Sequence, residues 1–124
     1  MRVYSLLFMM LFALSIGVNA QVKFFTAVNS KQIKTLQVKV AGELISEPYI
    51  ALGGEEQIEI NFDGLGSGYT RYAYNVVHCN ADWTQSQLSP IEYMNGFQGT
   101  TIDDFANSIG TTTQYSNYRL LLPN

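Results

Sequence analysis

A second cysteine is missing from this chain of 124 residues, which has only Cys79. No intramolecular disulfide can form, so packing alone must hold the fold together. Histidine is as scarce, with His78 standing by itself. A structural zinc ion needs four ligands, and no further Cys or His completes a set around this pair. Nor do His78 and Cys79 suit a base and a nucleophile, because neighbours on a strand point to opposite faces. Both read as packing residues, one on each side of a central strand.

Positive charge is thin and scattered over Lys23, Lys31, Lys34, Lys39, Arg71 and Arg119. No basic stripe forms, which argues against a nucleic-acid backbone or an anionic membrane surface as partner. No glycine-rich loop precedes a helix, so phosphate cradling is unsupported. The glycine-rich run 63–68 offers one carboxylate, Asp63, where a calcium loop wants several oxygen ligands. Glu55-Glu56 and Asp103-Asp104 read as solvated turns. These absences leave no catalytic, cofactor-binding or metal-ligating set, and the expectation is a binding module that uses no cofactor.

Beyond residue 21 there is no long apolar run either. Ahead of it, Arg2 is followed by an apolar stretch over 6–18, interrupted by Ser15 and Gly17, and then by Val18-Asn19-Ala20. That is the three-part pattern of a secretory signal. A membrane-spanning helix needs about 20 apolar residues, and this run is shorter. Cleavage after Ala20 leaves Gln21 at the new terminus, where a lipoprotein would need Cys. The expected organisation is a signal peptide over 1–20, a lead-in over 21–31 and one soluble domain over 32–124. With Arg2 removed, six basic residues face ten acidic ones, a net charge of −4. The remaining 104 residues suffice for one domain with a modest core.

What the chain does have is tyrosine, 8 in all, and strand-like alternation. Leu36, Val38 and Val40 alternate with Gln37 and Lys39, predicting a strand over 32–40. Pro48 confines any strand over 44–52 to an edge, and Gly53-Gly54-Glu55 reads as a turn. Ile58, Ile60 and Phe62 face away from Gln57, Glu59 and Asn61 in a second strand, which the glycines of 63–68 should end as a flexible loop. The longest predicted strand runs over 69–79, apolar on both faces and therefore central and covered on both sides. Residues 80–99 read as irregular, 102–109 as a strand or a helical turn, and 112–122 as a last strand. Four or five strands without a useful helix predict an all-β fold, an antiparallel sandwich of the immunoglobulin or fibronectin-III kind. Such a sandwich usually has about seven strands, so this one reads as incomplete.

The run His78-Cys79-Asn80-Ala81-Asp82-Trp83, after a tyrosine-rich strand, is the most specific feature. In order behind it come Tyr93-Met94-Asn95-Gly96-Phe97, Thr111-Thr112-Thr113-Gln114-Tyr115 and Tyr118-Arg119-Leu120-Leu121-Leu122-Pro123-Asn124. Together, from about Ile33 to Asn124, they resemble the N-terminal domain of the type IX secretion system plug protein of Bacteroidetes. The resemblance implies a periplasmic β-rich protein that docks on the large outer-membrane translocon barrel and closes its pore from the periplasmic side. The partner is then a membrane protein of the secretion system, and the chain itself inserts in no membrane. Family members are longer, which would account for the missing strands.

From the residues themselves, Trp83 is expected to bury its indole against the sandwich and Asp82 to cap the turn backbone. Tyr93 and Phe97 fall in the irregular segment, where both core and partner-binding roles are open. The alternative reading is an exported carbohydrate-binding sandwich, suggested by the tyrosines. Against it, Tyr72 and Tyr74 share a strand face with Val76 and read as core.

Overall fold

The computed structural model describes residues 25–122. The expected signal peptide over 1–20, its cleavage point and the closing Pro123-Asn124 lie outside the described residues. Six strands and one helical turn follow in order: β1 (Ile33–Val40), β2 (Ile58–Leu65), β3 (Ala73–Tyr74), α1 (Pro90–Tyr93), β4 (Thr100–Thr101), β5 (Asp104–Asn107) and β6 (Tyr115–Leu121). One sheet has the antiparallel order β1-β2-β6-β5; facing it is a two-stranded sheet of β3 and β4. The molecule is an antiparallel, all-β sandwich with one side unfinished. The segment around Pro48 is no strand, and Leu44, Ile45 and Tyr49 in it are exposed.

Period-two patterning sorts the larger sheet cleanly. Ile60 and Phe62 of β2, with Tyr118 and Leu120 of β6, face the second sheet. There they meet Ile102 and the half-buried Tyr72 and Tyr74, with Ile33 and Leu36 at the margin. Tyr118 is the centre, 1% exposed. Its ring stacks on Phe62 at 5.2 Å and meets Tyr72 edge-on at 4.8 Å; Phe105 covers it at 5.6 Å. Each such pair contributes about 0.5–1.5 kcal/mol beyond the area it buries. In a core this small, that aromatic cluster replaces the missing disulfide.

The other face of the larger sheet is polar and cross-linked. Glu59 accepts from Arg119 through two nitrogens at 3.1 Å, lies 3.6 Å from Lys39 Nζ and accepts from Asn61. It is only 6% exposed, but its cover is these charged and polar neighbours rather than the apolar core. Asp63 accepts from Thr35 on β1 and from Asn117 on β6 at 2.9 Å. Thr35 makes that bond from a left-handed backbone (φ 51°) at the bulge between Lys34 and Gln37.

Two expectations fail here for identifiable reasons. The loop expected over 63–68 begins later, because β2 continues through Gly64 and Leu65. Gly64 is in the strand because a Cβ there would lie 3.0 Å from Tyr72 Oη and 3.1 Å from Tyr118 Cε2. The missing side chain makes room for two tyrosines rather than for a turn. The long central strand over 69–79 is reduced to β3, on a sheet edge, with Ala73, Asn75 and Val77 exposed. Apolarity on both faces reported what the side chains are, not that anything covers both sides.

Candidate docking surface

Beyond β3 the chain stays extended, and polar side chains continue the ladder that β4 begins. Ile102 N–H donates to Tyr72 O at 2.9 Å and Gly99 N–H to Tyr74 O at 3.0 Å. At Val76 the partner is the Gln98 side-chain amide, which accepts from Val76 N–H at 2.9 Å and donates to Val76 O at 2.6 Å. An amide group carries one acceptor and one donor in peptide-like geometry, so it can stand in for a strand residue. Tyr93 Oη donates to the same Val76 carbonyl at 3.0 Å.

Residues 78–86 then form a tight hairpin. Ser86 N–H donates to His78 O at 3.0 Å, Cys79 bridges Gln85, and Asn80 N–H donates to Thr84 O at 2.8 Å. The tip closes as Trp83 N–H donates to Asn80 O at 2.9 Å. Asp82 caps it as expected, accepting from Thr84 N–H at 3.1 Å and Thr84 Oγ1 at 2.6 Å. Those bonds hold the Asp82 carboxyl below the usual range. Trp83 occupies the left-handed position (φ 63°) that three-residue hairpin loops reserve for a residue free of Cβ strain, normally glycine. A large ring in that conformation costs about 1–2 kcal/mol.

Trp83 corrects the expectation of a buried indole, since it is 49% exposed. It lines a shallow hollow with Val76, Val77 and Tyr93 and leaves the rest of its surface open. His78 is corrected too. It is exposed rather than packed, with Nδ1 2.8 Å from Ser86 Oγ and its ring 5.7 Å from that of Tyr93. Cys79 is half-buried, with Sγ 3.9 Å from Val77 O.

Behind the hairpin, α1 is a single turn. The Glu92 carboxylate accepts from Ser89 N–H and Ser89 Oγ, both at 2.7 Å, and these bonds lower its pKa. The turn delivers Tyr93 to Val76 and leaves Ile91 89% exposed. Gly96 holds φ at 148°, and the chain then presents Phe97 with 86% of its surface exposed. An open hollow of about 830 Å³ lies between Leu52, His78, Leu88, Ile91, Tyr93 and Phe97. The arrangement offers shape and apolar area, the means by which proteins recognise one another.

Seven of the nine singled-out residues meet here: His78, Cys79, Asp82, Trp83, Tyr93, Gly96 and Phe97. Tyr118 and Arg119 lie elsewhere, one in the core and the other on the polar face of the larger sheet. Gln98 and the Ser89–Glu92 pair escaped sequence reading. The second had a signal, since Ser, Pro and then Glu three residues on from Ser is a helix-start pattern. Gln98 had none.

Comparison with known proteins places these motifs. The family model described as "Type 9 secretion system plug protein 1st domain" matches residues 33–124. The chain belongs to this family. That membership ties the chain to the type IX secretion machinery and, with it, to the cell envelope. A crystallised hypothetical protein from Parabacteroides merdae ATCC 43184 is 99% identical, with a TM-score of 0.79 over 84% of this chain. The match spans 26% of that crystallised chain, so this plug domain corresponds to about a quarter of it. No curated protein matches.

Proposed function

We propose that this plug domain reaches the periplasm through cleavage of a signal peptide over residues 1–20. There it works without catalysis, docking on the outer-membrane translocon barrel and sealing the periplasmic opening. The family match over residues 33–124 carries this reading. The exposed apolar side chains support it further, because Ile91 and Phe97 border the hollow beside His78 and Trp83 is exposed at the hairpin tip, surface that a protein partner would cover.

The test is affinity purification of the tagged full-length protein from detergent-solubilised envelopes of its own host. The expected result is stoichiometric recovery of an outer-membrane barrel. Recovery from the periplasmic fraction alone, with no barrel in the membrane eluate, would count decisively against docking.

A further inference from the structure

Asn95 and Gly96 line the hollow beside the hairpin, between Tyr93 and Phe97. Nowhere else in the chain is an asparagine followed by glycine. Such a pair is chemically labile, because glycine has no side chain to keep its backbone nitrogen from the asparagine carboxamide. The fold leaves this pair open. Both residues are exposed, and among the described residues neither the Asn95 side chain nor Gly96 N–H has a hydrogen-bond partner. A Cβ on Gly96 would meet only Met94 Cε, at 3.6 Å, so nothing crowds the nitrogen.

Asp63-Gly64 could close the same ring, and the fold treats it oppositely. Gly64 pairs with Ile33 on one side and Ser116 on the other. The Asp63 carboxylate accepts from Thr35 and from Asn117. A strand paired on both edges lacks the freedom to bring that carboxyl onto the Gly64 nitrogen.

We propose that Asn95-Gly96 is a site of spontaneous covalent modification, where the folded protein converts asparagine to aspartate and isoaspartate. Gly96 N gives its proton to hydroxide and bonds to Asn95 Cγ, closing a succinimide ring. The Cγ–Nδ2 bond breaks, and the amide nitrogen leaves as ammonia after taking a proton from water, which regenerates hydroxide. Water then opens the ring. Addition at Cγ restores the normal main chain and leaves aspartate; addition at the main-chain carbonyl leaves isoaspartate, with the chain routed through Cβ and Cγ. One ammonia is lost and one water gained, with no oxidant or reductant. Either product puts a carboxylate in the wall of the hollow. On the docking reading above, a partner covering that wall must desolvate an unpaired charge, which is costly.

The test is timed incubation of the purified full-length protein at mildly alkaline pH, followed by proteolytic mapping and mass spectrometry. Asn95 should convert in the folded protein within about threefold of its rate in urea, while isoaspartate at Asp63 forms at least about tenfold more slowly than in urea. Asn95 that converts in urea and stays intact in the folded protein would overturn the proposal. So would equal rates at Asp63 in the two states, because the fold would then not govern either site. A second arm compares Asn95→Asp with the native protein in affinity purification, where recovery of the barrel should fall at least about tenfold. Equal recovery would overturn the effect of the charge on docking. A native protein that recovers no barrel strikes the docking reading instead, and the mass measurement still decides the modification.

Discussion

Tyr118 carries more of this fold than any other residue. Its ring contacts Phe62, Tyr72 and Phe105, and its hydroxyl donates to Thr70 O at 2.8 Å while accepting from Thr70 N–H at 3.2 Å. Replacing Tyr118 by Phe keeps the ring and removes both bonds, stranding two backbone groups. Stability of the full-length protein's first domain should fall by about 1–3 kcal/mol in urea titration. Glu59 sets a different dependence. Partial desolvation pushes its carboxyl up, but the hydrogen bonds and charge of Arg119, with Lys39 and Asn61, outweigh that and leave it lowered. A lowered folded-state pKa contributes stability that is fully present above the unfolded value and is lost as pH falls through the folded one. The loss should therefore set in below about pH 4, and Glu59→Gln should flatten that acid limb in denaturation curves taken from pH 6 down to pH 2. Sequence alternation placed Glu59 on the polar face correctly. Its burial was not legible, because Lys39 and Arg119 sit 20 and 60 positions away and only strand register brings them together.

At the scale of elements, the contrast lies between strands and the loops that carry the signature. β1, β2 and β6 were readable because each has one buried face, and period two records that directly. The strand expected over 69–79 was misjudged because a strand's pairing is set by its neighbours, which its own residues do not encode. The 78–86 hairpin was partly legible: Asp82 caps the turn as its position suggested, while Trp83 takes a left-handed backbone conformation that no residue pattern announced. That hairpin yields the sharpest variant. Trp83→Gly relieves the left-handed strain and removes the ring, so stability should shift by less than about 1 kcal/mol. Recovery of the barrel in affinity purification should fall at least tenfold, as expected when an interface aromatic is lost. A loss of about 3–5 kcal/mol would instead mark Trp83 as a core residue.

At the scale of the whole molecule, the described residues form an open sandwich with an apolar hairpin beside it. The larger sheet is finished and its outer face bound together by Glu59 and Asp63. Among the described residues the smaller sheet keeps an open edge, and the segment between β3 and β4 exposes Val77, Trp83, Leu88, Ile91 and Phe97. The sealing role proposed above would require such a module to be held in place and would ask no chemistry of it. Ion conductance of the purified translocon barrel in a planar bilayer, with the full-length plug protein added from the periplasmic side, tests that claim most directly. The account predicts that conductance falls to the closed level and recovers when the Trp83→Gly variant is exchanged for the native protein. Conductance unchanged by the native protein at saturating concentration would contradict it.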